Sequence, residues 1–197
     1  EAASAAGRDP ARLAAVFASS SGDGENCHAI CEVLASDDRQ ISPTRFHNSV
    51  HNAPAGYWGI ATGATASADS MGAFDASFGA GLLEALARLA AEPQLPVVLV
   101  AYDAPYPEPL HATRPVPEPF AVAMVLAAPG EGRGPAIGAT FTDEAPQAMD
   151  DAGLERLRRA IPAARALPLL ARLARGEPGA VTLEYLDGLR LRVEIRP

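Results

Sequence analysis

Ser77 stands in Asp75-Ala76-Ser77-Phe78-Gly79, where a short strand pattern gives way to a helical one. A hydroxyl there meets the free backbone N–H groups of a helix's first turn, which suits a nucleophile or, with no chemistry at all, a helix N-cap. A serine attacks only with a base beside it, and the histidines nearest in sequence are His47 and His51. The segment also departs from the Gly-x-Ser-x-Gly elbow, because Asp75 stands at the first glycine. A second group is Cys27, His28 and Cys31, with His47 and His51 further on. Nothing completes a tetrahedral set at a recognised spacing, so the expectation is small buried thiols and interfacial histidines with no metal. Gly22-Asp23-Gly24 is not a dinucleotide loop, since Cys27 stands where the third glycine belongs. It reads as a tight connection between a strand at Ala14–Ala18 and a helix at 25–34.

The elements that must position Ser77 run from Ala68 to Asp103. The pattern predicts a strand over 70–75, a turn at Ala76 and Ser77, a helix over 78–91 and a strand over 97–102. Phe78, Leu82, Leu86 and Leu89 recur at helical spacing, and Glu84 and Arg88 are placed to pair four residues apart. Five apolar residues in a row from Val97 to Ala101 suit a strand covered on both faces. Strand, helix and buried strand in that order make a βαβ unit with a parallel sheet.

This segment, DASFGAGLLEALARLAAEPQLPVVLVAYDA, resembles the active-site stretch of the β-ketoacyl synthases. There a strand ends in Thr-Ala-Cys, a helix follows, and the next strand ends in Ala-Gly-Gly. Asp75, Ala76 and Ser77 fall on the first motif, so the nucleophilic cysteine is a serine here; Ala101, Tyr102 and Asp103 fall on the second. Upstream, ISPTRFHNSVHNAPAG is similar to the family's Ser-Pro segment leading to Asn-x-x-Ala-Gly, with Ser42, Asn52, Ala55 and Gly56 in place. The likeness covers about Val16 to Leu126. It implies an α/β, thiolase-like fold of which this chain holds the N-terminal half only, a mixed sheet with helices on both faces.

The family's condensation chemistry also uses two histidines and a lysine. No lysine occurs here, no histidine follows His111, and the His-Gly-Thr-Gly-Thr motif is absent. The resemblance therefore implies a pseudo-enzyme of the chain-length-factor type, as in polyketide and aryl polyene pathways, with no confident catalytic residue and no cofactor. Its partner would be a catalytic β-ketoacyl synthase in a heterodimer, with acyl carrier protein met only through that subunit. The strand leading to Ser77 would pair across the two-fold axis. Phe46, His47, Val50, His51, Asn52 and Phe74 would lie at the interface or the partner's acyl tunnel, with Phe46 the largest obstacle to chain growth; the other reading puts Phe46 in the core of an ordinary helix. A competing function is a serine-dependent acyltransferase or thioesterase using Ser77.

Composition narrows the alternatives. The 197 residues carry 48% hydrophobic and 20% charged residues, as expected of a single globular domain over 1–197. A net charge of −8 with no basic run makes nucleic acid and anionic membrane poor partners. All 16 basic residues are arginine, which removes Schiff-base lysines and P-loops. No apolar run is long enough to span a bilayer and the first residues do not read as a signal peptide, so a cytoplasmic location is expected. Ser42-Pro43 begins a helix over 44–52. Six of the 18 prolines fall in 104–119, an extended connection of polyproline II type. Strands are predicted over 120–127 and 136–141, and helical pieces over 152–160 and on to Gly176, divided by Pro162 and Pro168 and capped by Asp150 or Asp151. A β-hairpin with a type I′ turn at Asp187-Gly188 closes the 150–197 region.

Overall fold

At the centre lies β1 (Ala14–Ala18), each of its five residues buried. The computed structural model describes residues 1–132 and 134–197. Around β1 stand α1 (Ala2–Ala5), α2 (Gly24–Ala35), α3 (Pro43–Asn48), α4 (Ala53–Thr62), β2 (Ala68–Met71), α5 (Ser77–Ala91), β3 (Val97–Asp103), α6 (Leu110–Thr113) and β4 (Phe120–Leu126). The remainder supplies β5 (Ala136–Thr142), α7 (Ala152–Ala160), α8 (Leu167–Arg175), β6 (Gly179–Leu186) and β7 (Leu189–Arg196), with 3-10 turns at Pro10–Arg12, Phe74–Ala76 and Pro162–Ala166.

The first sheet has the order β2-β1-β3-β4, with β1 parallel to β2 and β3 and with β4 antiparallel to β3. Side chains alternate across it with the two-residue period of a strand. Ala14, Val16, Ala18, Val97, Leu99 and Ala101 join the core on the α5 side, whereas Ala15, Phe17 and Val98 pack with Ala55 and Trp58 of α4 on the other. Contact with α5 is close: a Cβ added at Gly81 would stand 2.8 Å from Ala18 Cβ and 2.9 Å from Leu99 Cδ1. Only a glycine lets this helix backbone rest on the sheet.

A second sheet, β5-β7-β6, is antiparallel throughout and covers the far side of α5, where Gly79 meets the Glu184 carbonyl and Leu191. Its inward residues Val181, Leu183, Leu191, Val193 and Ile195 share one core with Phe78, Leu82 and Ala85. The α/β layering with a mixed sheet, helices on both of its faces and a C-terminal hairpin agrees with expectation. The hairpin also recruits β5 and closes over α5, which no local pattern in the chain signals.

Several boundaries moved for physical reasons. β2 stops at Met71, because Gly72 and the 3-10 turn at Phe74–Ala76 lead the chain out of the sheet. The helix expected over 44–52 ends at Asn48, and α4 follows as a separate helix with proline in its first turn and Gly63 in the left-handed conformation (φ 70°) at its end. Its two internal glycines, Gly56 and Gly59, lower helix propensity and hid it from the pattern. The connection 104–119 is mainly irregular but includes α6. β4 is an edge strand with Ala121 and Ala123 exposed. Of the hairpin's turn residues only Gly188 has a positive φ (73°), so the turn is not type I′, and an irregularity between Glu184 and Leu186 takes up the twist instead. Cys27 and Cys31 are exposed rather than buried, because α2 stands away from the body with only Asn26 buried. Among the described residues no helix is long and apolar enough to cross a membrane.

Asp103, at the end of β3, ties the first sheet to the 3-10 turn between α7 and α8. It is 4% exposed, and its two carboxylate oxygens accept one backbone N–H each, from Ser20 and from Ala163, both at 2.8 Å. This carboxylate thus joins the loop after β1 to the Pro162–Ala166 turn.

Candidate functional site

Ser77 is the first residue of α5 and is 1% exposed. Its hydroxyl donates to the Phe74 carbonyl oxygen at 2.7 Å and accepts the Ala73 N–H at 3.0 Å. Both bonds run back into the preceding turn, so Ser77 is not the N-cap; that position belongs to Ala76, which has no side chain able to cap. Among the described residues no histidine hydrogen bonds to Ser77. His51 instead lies against the Gly22 and Gly72 backbones: an added Cβ at those positions would stand 3.1 Å and 3.5 Å from its imidazole. Its Nε2 is buried without a hydrogen-bond partner.

The turn closed by Ser77 holds Phe74 at φ 51°, in the left-handed region that a bulky side chain rarely occupies. Its ring is nevertheless exposed (63%), and the Arg114 guanidinium sits 3.4 Å from the ring centroid. Arg114 is braced by Asp75 at 2.7 Å, and Asp75 also meets Arg165 at 3.1 Å. From there the charges continue inward. Arg165 pairs with Glu184 at 2.8 Å, Glu184 with Arg158 at 3.2 Å, and Arg158 with Glu155 through two hydrogen bonds of 2.7 and 2.8 Å. The series joins the turn before α5 to β6, α7 and the 3-10 segment between α7 and α8. The planar arginine fork suits such bidentate, partly buried pairs. Arg158 hydrogen bonds, reinforced by the Met149 N–H, lower the Glu155 carboxyl from its ordinary 4.5 to about 2. Burial first, and then the Asp103 carboxylate, push the Tyr102 phenol up. Sequence reasoning missed this network. Its one signal was that every basic residue is arginine.

The remaining site candidates lie at the surface. Phe46 is 66% exposed on α3, which removes the reading that places it in the core. Val50 is 52% exposed, and His47 sets its ring edge-on to Tyr57 with centroids 6.4 Å apart. Asn52 is exposed at the N-cap position of α4 and makes no capping bond. Tyr57 and Ile60 on α4 add further exposed apolar area, at 49% and 80%. Among the described residues no three histidine, cysteine or acidic side chains converge as a metal site would require.

A ketosynthase (ApeO) in complex with its chain length factor (ApeC) from Xenorhabdus doucetiae is similar to this chain, with TM-score 0.70 and 26% identity over 92% of this chain and 69% of that one. The ishigamide ketosynthase/chain length factor shares the fold, with TM-score 0.68 at 11% identity over 94% of this chain and 73% of that one. No curated protein gives a significant sequence match. The family described as Beta-ketoacyl synthase, N-terminal domain, matches residues 1–181, well beyond the segment that carries the two motifs. With its thiolase-like layering and Ser77 at the strand-to-helix junction, the chain belongs to the β-ketoacyl synthase N-terminal domain family.

Proposed function

We propose that this chain is the non-catalytic, chain-length-factor-type subunit of a ketosynthase pair in fatty acid, polyketide or aryl polyene synthesis, joining a catalytic β-ketoacyl synthase and shaping its acyl tunnel. The observation that carries the reading is the condition of Ser77. A hydroxyl whose proton is given to a backbone carbonyl, with no imidazole beside it, has nothing to activate it. The same geometry lends no support to a serine acyltransferase or thioesterase.

The exposed apolar residues on α3 and α4 support a partner, because large hydrophobic side chains left in water are liabilities unless something covers them. β2 is an edge of the first sheet and offers unpaired backbone groups to a strand from that partner. An acyl carrier protein would then engage the catalytic subunit and meet this chain only through it. Within the pair, Phe46 reaches toward the end of the partner's growing chain and stops it by overlap, since packed interiors do not yield to extra methylenes.

The test is reconstitution with a catalytic β-ketoacyl synthase. The chain alone should give no β-ketoacyl product from acyl and malonyl thioesters, and the pair should give product. Phe46→Ala should lengthen that product by mass spectrometry while shifting the chain's own stability by no more than about 0.5 kcal/mol, as its ring is mostly in water. Product from the chain alone would overturn the proposal, and unchanged length with Phe46→Ala would remove the tunnel role.

A further inference from the structure

We infer that Ser77 is a positioning residue whose hydroxyl holds Phe74 out from the surface as a preformed anchor for the partner ketosynthase. The inference rests on the subunit reading above and assigns to the serine at the nucleophile position a use unrelated to acyl transfer.

Four observations converge on Phe74. Its backbone is left-handed (φ 51°), a conformation that costs free energy for a non-glycine residue and persists only when the surroundings over-determine it. The surroundings do so: the Ser77 hydroxyl spans the turn, gripping the Ala73 N–H and the Phe74 carbonyl together. The ring that this strain displays is not used in the core, being 63% exposed. Arg114 supports one side of the ring and is itself fixed by Asp75, which Arg165 also holds. An aromatic ring already fixed in place loses little conformational freedom on binding, and this is what makes such residues effective interface anchors.

The location selects the occupant. Phe74 follows the edge strand β2 by three residues, so a surface that lies along the β2 edge meets the ring. A subunit pairing there would present an apolar recess to the exposed face of the ring, the other face being covered by the Arg114 guanidinium. A hydroxyl is what the turn needs. Alanine could make neither bond, and a thiol is a weaker donor and acceptor.

The experiment measures the affinity of the 197-residue chain for a catalytic β-ketoacyl synthase, together with the Tm of each variant alone. Phe74→Gly removes the ring and relieves the left-handed backbone. It should weaken assembly by about thirtyfold while leaving Tm unchanged or higher. Ser77→Ala should weaken assembly in the wild-type background but add less than about twofold in the Phe74→Gly background, since the serine acts through the ring. A merely structural serine would lower affinity by the same factor in both backgrounds, and that result would overturn the positioning role. A loss of less than about tenfold for Phe74→Gly, with the wild-type complex intact, would overturn the anchor alone. No complex with the wild-type chain would instead sink the subunit reading, and this inference with it.

Discussion

Asp103→Asn tests how the first sheet is tied to the region that steadies the Ser77 turn. The carboxylate serves the Ser20 and Ala163 N–H groups with a separate oxygen for each, both at 2.8 Å, and Ser19 Oγ lies a further 3.4 Å from one of them. Asparagine offers one carbonyl oxygen, so whichever N–H it keeps, the other faces an NH2 group, donor against donor. A buried N–H left unpaired costs about 1–3 kcal/mol, and the bond that survives loses its charge assistance. Asparagine carries no charge to desolvate, which offsets part of this. The expected net loss is about 2 kcal/mol, a sizeable share of the roughly 5–15 kcal/mol typical of a domain. Asp103→Ala frees both groups and should lose about 3–5 kcal/mol. Trp58 is the only tryptophan and packs edge-on against Phe17 of β1, so its fluorescence can follow urea unfolding. Hydrogen exchange should show the Ser20 and Ala163 amides losing protection before the amides of β1 and β3. If Asp103→Asn falls within about 0.5 kcal/mol of wild type with both amides still protected, the carboxylate does not tie the β1 loop to the Pro162–Ala166 turn.

Gly81→Ala should destabilise by about 1–2 kcal/mol, the strain of forcing a Cβ to within 2.8 Å of Ala18 and 2.9 Å of Leu99 less the gain in helix propensity; a raised urea midpoint would show that α5 can lift off the sheet freely. For Glu155 the sign comes from its lowered carboxyl: held near 2 against an ordinary 4.5, it contributes stability above about pH 4.5 and loses it as pH falls toward 2. Glu155→Gln should therefore melt below wild type at pH 7, with the gap closing between pH 4.5 and 2. A gap of the same size at both ends of that range would mean that the Arg158 and Met149 hydrogen bonds do not set the stability of this corner.

How much could be read from the chain differs from element to element, and the reasons are physical. The strands β1 and β3, the helix α5 with its Glu84–Arg88 pair and the helix at 152–160 capped by Asp151 were all legible, because apolar spacing and caps act within a few residues of one another. The two motifs flanking Ser77 likewise pointed to the ketosynthase family, since the residues that carry them lie close along the chain. What Ser77 does with its hydroxyl was not legible: nothing in the spacing shows that it turns back to Ala73 and Phe74 rather than toward a histidine. Nor could the sequence join Asp75 to Arg165 across 90 positions, or Asp103 to Ala163 across 60. Those bonds exist only where the Pro162–Ala166 segment packs against β3 and the turn before α5. Their geometry comes from where two packed layers meet, and a charge has no periodicity by which its distant partner can be read.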